Sequence, residues 1–324
     1  LGVLVNGFFG TSWREKKIAS VSVGSVGLAL AFALVFAAEL FSRLPGDRRL
    51  SMSLYRWLSD GSLTVELGLF LDPLSMIMVF VVLFVGFLIH LYSAGYMKGD
   101  PGYRRYFVFL NLFIFFMLLL VLADNLVLTF VGWEGVGLCS CLLIGFWYEK
   151  TSACDAGRKA FVVNRIGDFG FLLGILLAAV VFGTVNYGEI ARLLDSDTAV
   201  APGITAAVAM LLFLGAIGKS AQFPLHVWLP DAMEGPSPVS ALIHGATMVN
   251  AGVYLLCRIS PLLEAAPVVF PVIASVGMAT VLYASLSALG QRDIKRLLAY
   301  STVSQIGYMF VAVGCGLYSA GMFH

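Results

Sequence analysis

The chain has 324 residues, of which 60% are hydrophobic and 12% charged, with a formal net charge of +1. A soluble domain carries about a quarter charged residues, so an ordinary soluble enzyme is excluded, and so small a balance, spread between apolar runs, excludes a basic nucleic-acid-binding face. The runs approach the roughly 20 residues that cross a bilayer and are too uniformly apolar for barrel strands, so the chain reads as an all-α polytopic membrane protein.

Taken in chain order, with Gly, Pro and charge as punctuation, about ten transmembrane helices are predicted: 1–10 (partial), 18–41, 73–96, 106–122, 124–147, 160–182, 205–227, 238–260, 267–289 and 297–318. The opening "LGVLVNGFFG" reads as the tail of an apolar helix, and the closing "GLYSAGMFH" stops without a capping or loop signal. A fragment cut at both ends is therefore expected. The connections 11–17, 97–106, 148–159, 228–237 and 290–297 carry twelve of the twenty Lys and Arg, whereas 42–72, 123–125, 183–204 and 261–266 carry five. The positive-inside rule puts the first set in the cytoplasm or its equivalent, so 148–159 faces inward and 183–204 outward.

The remaining three cations fall inside predicted spans: Arg165, Lys219 and Arg258. Arg258 sits at the end of its span, where snorkelling to the interface is expected, and His90 reads as an interfacial histidine. Of the five cysteines, Cys139 and Cys141 are two apart on a helix and point to different faces, so they read as buried apolar thiols and not metal ligands. No nucleotide-binding glycine motif, CxxC set or closely spaced His pair appears, so no cofactor or metal site is assigned to this chain.

Ionisable groups within spans usually face a protein interior or a water-filled path. Those found here are Glu134 in "FVGWEGVGLCSCLLIGFW", Arg165 and Asp168 in "NRIGDFGF", Lys219 in "GAIGKSAQFPLH" and His244 in "ALIHGATMV". Arg165 and Asp168 are i,i+3 and can pair with each other, as a salt bridge holding helices together or as part of a transport path. Glu134 and Lys219 lack such a same-helix partner and are expected to meet across helices. Burial disfavours the charged form of both, so a Lys with a movable carboxylate can store and release a proton, and His244 can relay it. The plain alternative is a structural tie. Pro224, by removing a backbone donor, is expected to break the span near "GKSAQ" and free carbonyls at membrane depth, a feature of ion pathways.

Four stretches, "VGWEGVGLCSCLLIGFWYEK", "KAFVVNRIGDFGFLLG", "GKSAQFPLHVWLPDAMEGPSPVSALIHGATMVNAGVYLL" and "IKRLLAYSTVSQIGYM", closely resemble the antiporter-like subunits L of proton-pumping NADH–quinone oxidoreductase, respiratory complex I. Subunits M and N and the large subunit of multisubunit cation/proton antiporters share the Lys-and-Pro stretch. The resemblance implies two inverted five-helix repeats and a lateral helix beyond them. On that reading 1–105 holds N-terminal helices, 106–260 is a complete first repeat containing the broken helix, and 261–324 begins a second repeat cut short. It makes Lys219 the broken-helix lysine, Glu134 its acidic partner and His244 the linking histidine. Arg165 and Asp168 become the polar pair of the sixth helix, His324 the first histidine of the eleventh, and Lys295 an interfacial group beside the tenth. It also implies proton translocation driven by redox chemistry elsewhere, with flavin, iron–sulfur clusters and quinone held by other subunits. The implied partners are the lipid bilayer and other membrane subunits, above all a neighbouring antiporter-like one, and the implied location is a bacterial inner membrane. The alternatives are a subunit of a cation/proton antiporter without a redox partner, and a scaffold whose buried charges only hold helices together.

Overall fold

Nine helices long and apolar enough to cross a membrane run through the described residues of the computed structural model, which are 1–59, 61, 63–196 and 201–324. They are α1 (Glu15–Ser42), α2 (Pro73–Tyr96), α3 (Tyr103–Leu122), α4 (Leu126–Ile144), α5 (Thr151–Phe182), α7 (Pro202–Lys219), α8 (Ser237–Arg258), α9 (Val269–Leu289) and α10 (Ile294–Gly314). The short α6 (Tyr187–Asp195) lies between α5 and α7, and α11 (Tyr318–Phe323) follows α10. Residues 1–10, expected as a partial span, wind instead as short α, π and 3-10 turns over 2–12.

Helix starts follow their local chemistry. Asp72, Asn125, Asn186 and Asp293 each accept a backbone N–H in the first turn of α2, α4, α6 and α10, closing donors that a helix start leaves open. The connection 42–72 is not only a loop. Leu50–Ser59 (β1) and Thr64–Leu71 (β2) pair antiparallel, from Leu50↔Leu71 to Ser59↔Thr64. β1 leaves Met52, Leu54, Tyr55, Trp57 and Leu58 exposed.

The two sets of connections separated by charge gather at opposite ends of the bundle. At one end, Lys159 pairs with Asp231 at 2.6 Å, Ser152 donates to Glu234, and Lys295 Nζ donates to the carbonyls of Met233 (2.7 Å) and Gly235 (3.3 Å). The Trp147 indole donates to Asp100, the Gly99 amide to Glu15, and Arg104 to the Gly7 carbonyl. Lys295, read from sequence as interfacial, thus fastens the 228–237 connection, whose two acids offset cations from its neighbours. At the other end Asn125 donates to the Glu66 carbonyl, the Leu126 amide to Val185, and the Tyr187 amide to Asp124.

Two further sequence readings are corrected. Arg258 does not snorkel. Its side chain is 8% exposed and grips Asp72 with two nitrogens, at 2.7 and 2.8 Å, while also donating to the Tyr254 hydroxyl. The carboxylate on the connection before α2 is what holds it in. His90 is fully buried, not interfacial: Nδ1 lies 2.7 Å from the Gly86 carbonyl, and Asn111 Nδ2 lies 3.3 Å from Nε2. Asn111 in turn accepts from Ser25 at 2.8 Å, and Asn6 donates to Ser22 at 2.7 Å, so polar side chains link α1, α2 and α3 to the N-terminal turns.

Partial burial would raise the Asp72 carboxyl, but Arg258 and the Ser75 amide outweigh it and hold it below its usual 3.8. A depressed acid contributes stability above its unfolded value and loses it as pH falls through the folded one. Asp72→Asn should therefore lower the thermal midpoint at pH 7, by the equivalent of about 3 kcal/mol for stranding a mostly buried arginine. Wild type and variant should converge as pH falls through the folded value of this carboxyl, which lies below 3.8. Equal midpoints at pH 7 would show the latch to be idle.

Candidate proton-transfer site

Lys219 is the last residue of α7 and is 1% exposed. Its Nζ lies 3.3 Å from Asp168 Oδ2 on α5, and the other carboxylate oxygen accepts the Trp133 indole N–H of α4 at 2.7 Å. The ammonium also sits 5.9 Å from the centre of the Trp133 ring. Two glycines make the room. A Cβ on Gly137 would lie 2.5 Å from Nζ, and one on Gly167 would lie 2.9 Å from the Gly218 Cα, so bare backbone lets α5 and α7 close around the pair. Gly137→Ala should push the ammonium off its seat and lower the thermal midpoint by the equivalent of about 1–3 kcal/mol, the cost of overpacking a filled site. An unchanged midpoint would mean that the seat tolerates displacement.

The pairing differs from the one read in the sequence. Glu134 does not reach Lys219, and Arg165 does not pair with Asp168. Instead Glu134 pairs with Arg165, and Asp168 pairs with Lys219. Adjacent positions on a helix are about 100° apart. Trp133 therefore turns toward Asp168 in the core, while Glu134 turns to the outer side with Arg165, their side chains 21% and 39% exposed. Spacing along α5 allowed a same-helix pair, but the neighbouring helices offered each charge a better-placed partner. Trp133 was not singled out from sequence, although its place beside an intramembrane acid in "GWEG" is a signal of a polar job for its N–H.

The broken helix breaks earlier than Pro224 predicts. α7 ends at Lys219, and Ala221 holds a left-handed φ of 49°, which costs a residue with a side chain on the order of 1 kcal/mol. Pro224 lies beyond, in the turns leading to Pro230. The freed backbone groups are taken by protein: the Gly218 carbonyl accepts the Trp228 indole N–H at 3.1 Å, the Ser220 carbonyl accepts Gln222 at 2.9 Å, and the Phe223 amide donates to Thr280 at 3.0 Å. His226, which the sequence reading passed over, is buried in this segment with its ring 4.3 Å from that of Tyr283. A lone histidine among the prolines of "FPLHVWLP" could have marked it.

His244 lies in a π turn of α8, over Leu242–Ala246. It is buried, and neither ring nitrogen has a hydrogen-bond partner among the described residues. It lines a cleft of about 400 Å³ with Asn250, Ser301, Gln305 and His324. Across that cleft His324 Nε2 lies 2.7 Å from Gln305 Oε1. The structure therefore brings His244 and His324 to one space. Between Lys219 and His244 the link is indirect, through Ser220, which donates to the Val249 carbonyl of α8 at 2.6 Å. Among the described residues no group of three or more His, Cys, Asp or Glu is arranged to hold a metal ion.

Comparison with known proteins gives a consistent picture. A family model described as NADH:quinone oxidoreductase/Mrp antiporter, transmembrane, matches residues 123–324, and one described as NADH-ubiquinone oxidoreductase (complex I), chain 5 N-terminus, matches 57–107. The chain is 47% identical, over its full length, to NADH-quinone oxidoreductase subunit L of Escherichia coli (strain K12), of which it covers 52%. It is 47% identical over 98% of its length to NAD(P)H-quinone oxidoreductase chain 5 of Synechocystis, covering 47% of that protein. The chain thus spans about half the length of these relatives. Among solved structures, a chain of the Mrp complex from Dietzia superposes with a TM-score of 0.86 at 32% identity, over 99% of this chain and 34% of that one.

Proposed function

We propose, since the chain belongs to the NADH:quinone oxidoreductase/Mrp antiporter transmembrane family, that it translocates protons as a membrane subunit of an NADH-quinone oxidoreductase. The observation that carries this reading is a buried ammonium–carboxylate pair at the end of a broken helix, together with a separate cleft lined by two histidines. Asp168 compensates the Lys219 charge. Drawing the two apart leaves an ammonium unpaired in a dry site, and it gives up its proton. His244, with both ring nitrogens free for new partners, receives it, and Gln305 and His324 continue the path. Glu134 acts through Arg165 and so reaches Asp168 from the same helix. Electron transfer, with its flavin, iron–sulfur clusters and quinone, is assigned to other subunits.

The partner surface follows from the same charges. A guanidinium–carboxylate pair that is 39% and 21% exposed at mid-span is costly against acyl chains, so we assign this face of α4 and α5 to a neighbouring membrane subunit. The exposed apolar side chains of β1 make a second such surface.

The family model also covers antiporters that need no redox partner. Identity of 47% to subunit L against 32% to the Mrp chain favours the first reading. Inverted vesicles carrying the assembled complex decide between them. NADH oxidation should drive proton uptake that His244→Gln cuts severalfold relative to electron flux. Sodium–proton exchange in vesicles without NADH would instead make the chain an antiporter subunit.

We place the protein in a bacterial inner membrane with 148–159 in the cytoplasm. A thiol reagent that does not cross the membrane should leave the exposed Cys154 unlabelled in intact cells and label it in inverted vesicles. It should also label a cysteine introduced at Arg192. The reverse pattern inverts the orientation.

A further inference from the structure

We propose that an anionic phospholipid of the cytoplasmic leaflet binds in the groove between the adjoining ends of α3, α4 and α5, its phosphate held by Arg105 and Arg158. The groove is open, about 480 Å³ in volume, and both arginines line it. The Arg105 guanidinium is clamped between aromatic rings, 4.7 Å from the centres of Phe146 and of Tyr148, and donates to the Phe146 carbonyl at 3.1 Å.

Among the described residues no carboxylate pairs with Arg105, and its Nε is buried without a hydrogen-bond partner. Asp100, on the connection before α3, accepts instead from the Gly102 amide and the Trp147 indole. A planar guanidinium positioned by two rings and lacking a counter-anion suits a phosphodiester, which accepts its fork of donors. Arg158 at the mouth is 78% exposed, and its pair with Asp155, one turn away on the same helix, is a solvent-screened contact that a phosphate can replace.

Phospholipid is favoured over a free anion by what lies below the charges. Phe109, Leu142 and Phe161 form the lower wall. From there exposed Leu138 and Val162 continue down α4 and α5, giving acyl chains an apolar track. Basic pockets between spans on the cytoplasmic side bind anionic headgroups in this way. Leu138 and Val162 lie one turn from Glu134 and Arg165, so the acyl chains run along the face assigned above to a neighbouring subunit and the lipid would fill the seam between the two.

The test is native mass spectrometry of the assembled, delipidated complex titrated with phosphatidylglycerol or with phosphatidylcholine. Arg158→Gln, at an exposed position that the fold does not need, should weaken the tightest phosphatidylglycerol site about fivefold, the scale of one basic residue near a headgroup. Arg105→Gln should do so at least as strongly, phosphatidylcholine retention should not change, and inorganic phosphate should not displace the lipid. Unchanged phosphatidylglycerol affinity in Arg158→Gln overturns the proposal. So does displacement by inorganic phosphate, which would make this a free-anion site, and so does a neighbouring subunit's side chain found filling the groove.

Discussion

Lys219→Met, Lys219→Ala and Lys219→Arg should each lower proton translocation by about a hundredfold, the scale of losing a group that transfers protons, in complexes that still assemble and oxidise NADH. Met keeps most of the length of the side chain without its charge, so packing alone is not what it removes. Arg keeps a charge that is not released at working pH. It also brings a planar head into a seat sized for an ammonium, where even a Cβ on Gly137 would come within 2.5 Å of Nζ. If Lys219 only tied α7 to α5, Arg would restore part of the function by still satisfying Asp168. Proton uptake per electron near the wild-type value in the Arg variant would make the lysine structural.

The second large effect distinguishes the two carboxylates. Asp168→Asn strands an ammonium that is 1% exposed, and stranding one partner of a buried pair costs about 3–5 kcal/mol. Pumping should fall to background, with a lower thermal midpoint of the complex. Glu134→Gln leaves the Lys219–Asp168 pair in place and removes a charge from the outer, partly exposed pair, so it should reduce pumping severalfold and weaken docking of the neighbouring subunit. Combining Lys219→Met with Asp168→Asn should recover most of the lost midpoint, because removing both members of a buried pair is far cheaper than removing one. It should not recover pumping. If Glu134→Gln is the more damaging of the two single changes, the pairing described here does not govern transfer.

Much of this was legible in the sequence, because bilayer thickness and charge asymmetry act on long stretches. The spans from 18–41 onward match α1 to α5 and α7 to α10 to within a few residues at most ends, and the separation of Lys and Arg anticipated which connections meet. The pairing of β1 with β2 is not legible from long apolar runs, because alternation such as "LSMSLYRW" holds no continuous apolar stretch. The extent of α5 was underestimated for a related reason: its first turns, "TSACDAGRKA", are polar enough to read as a loop.

At the site, residue types were readable and partners were not. Charges at 134, 165, 168 and 219 stand out against an apolar background, but which of them meet depends on helix rotation, and a one-position change on α4 separates an inward Trp133 from an outward Glu134. The place of the break was misjudged because Pro224 is the visible breaker. The actual stop, at Ser220, is set by folded-state partners such as Trp228, ten residues on from Gly218, and Thr280, which lies far along the chain.

α5 carries one member of each ion pair, Arg165 and Asp168, three residues apart. Three residues rise only about 4.5 Å along a helix, so the two charges ride on one rigid body. A screw motion of α5 that lengthens one pair necessarily alters the other, even though Glu134 and Lys219 never touch. The helix behaves as a crankshaft with two throws, one toward the protein interior and one toward the outer wall. A substitution at Arg165 is therefore never a probe of Glu134 alone. It also resets the axle on which Asp168 turns.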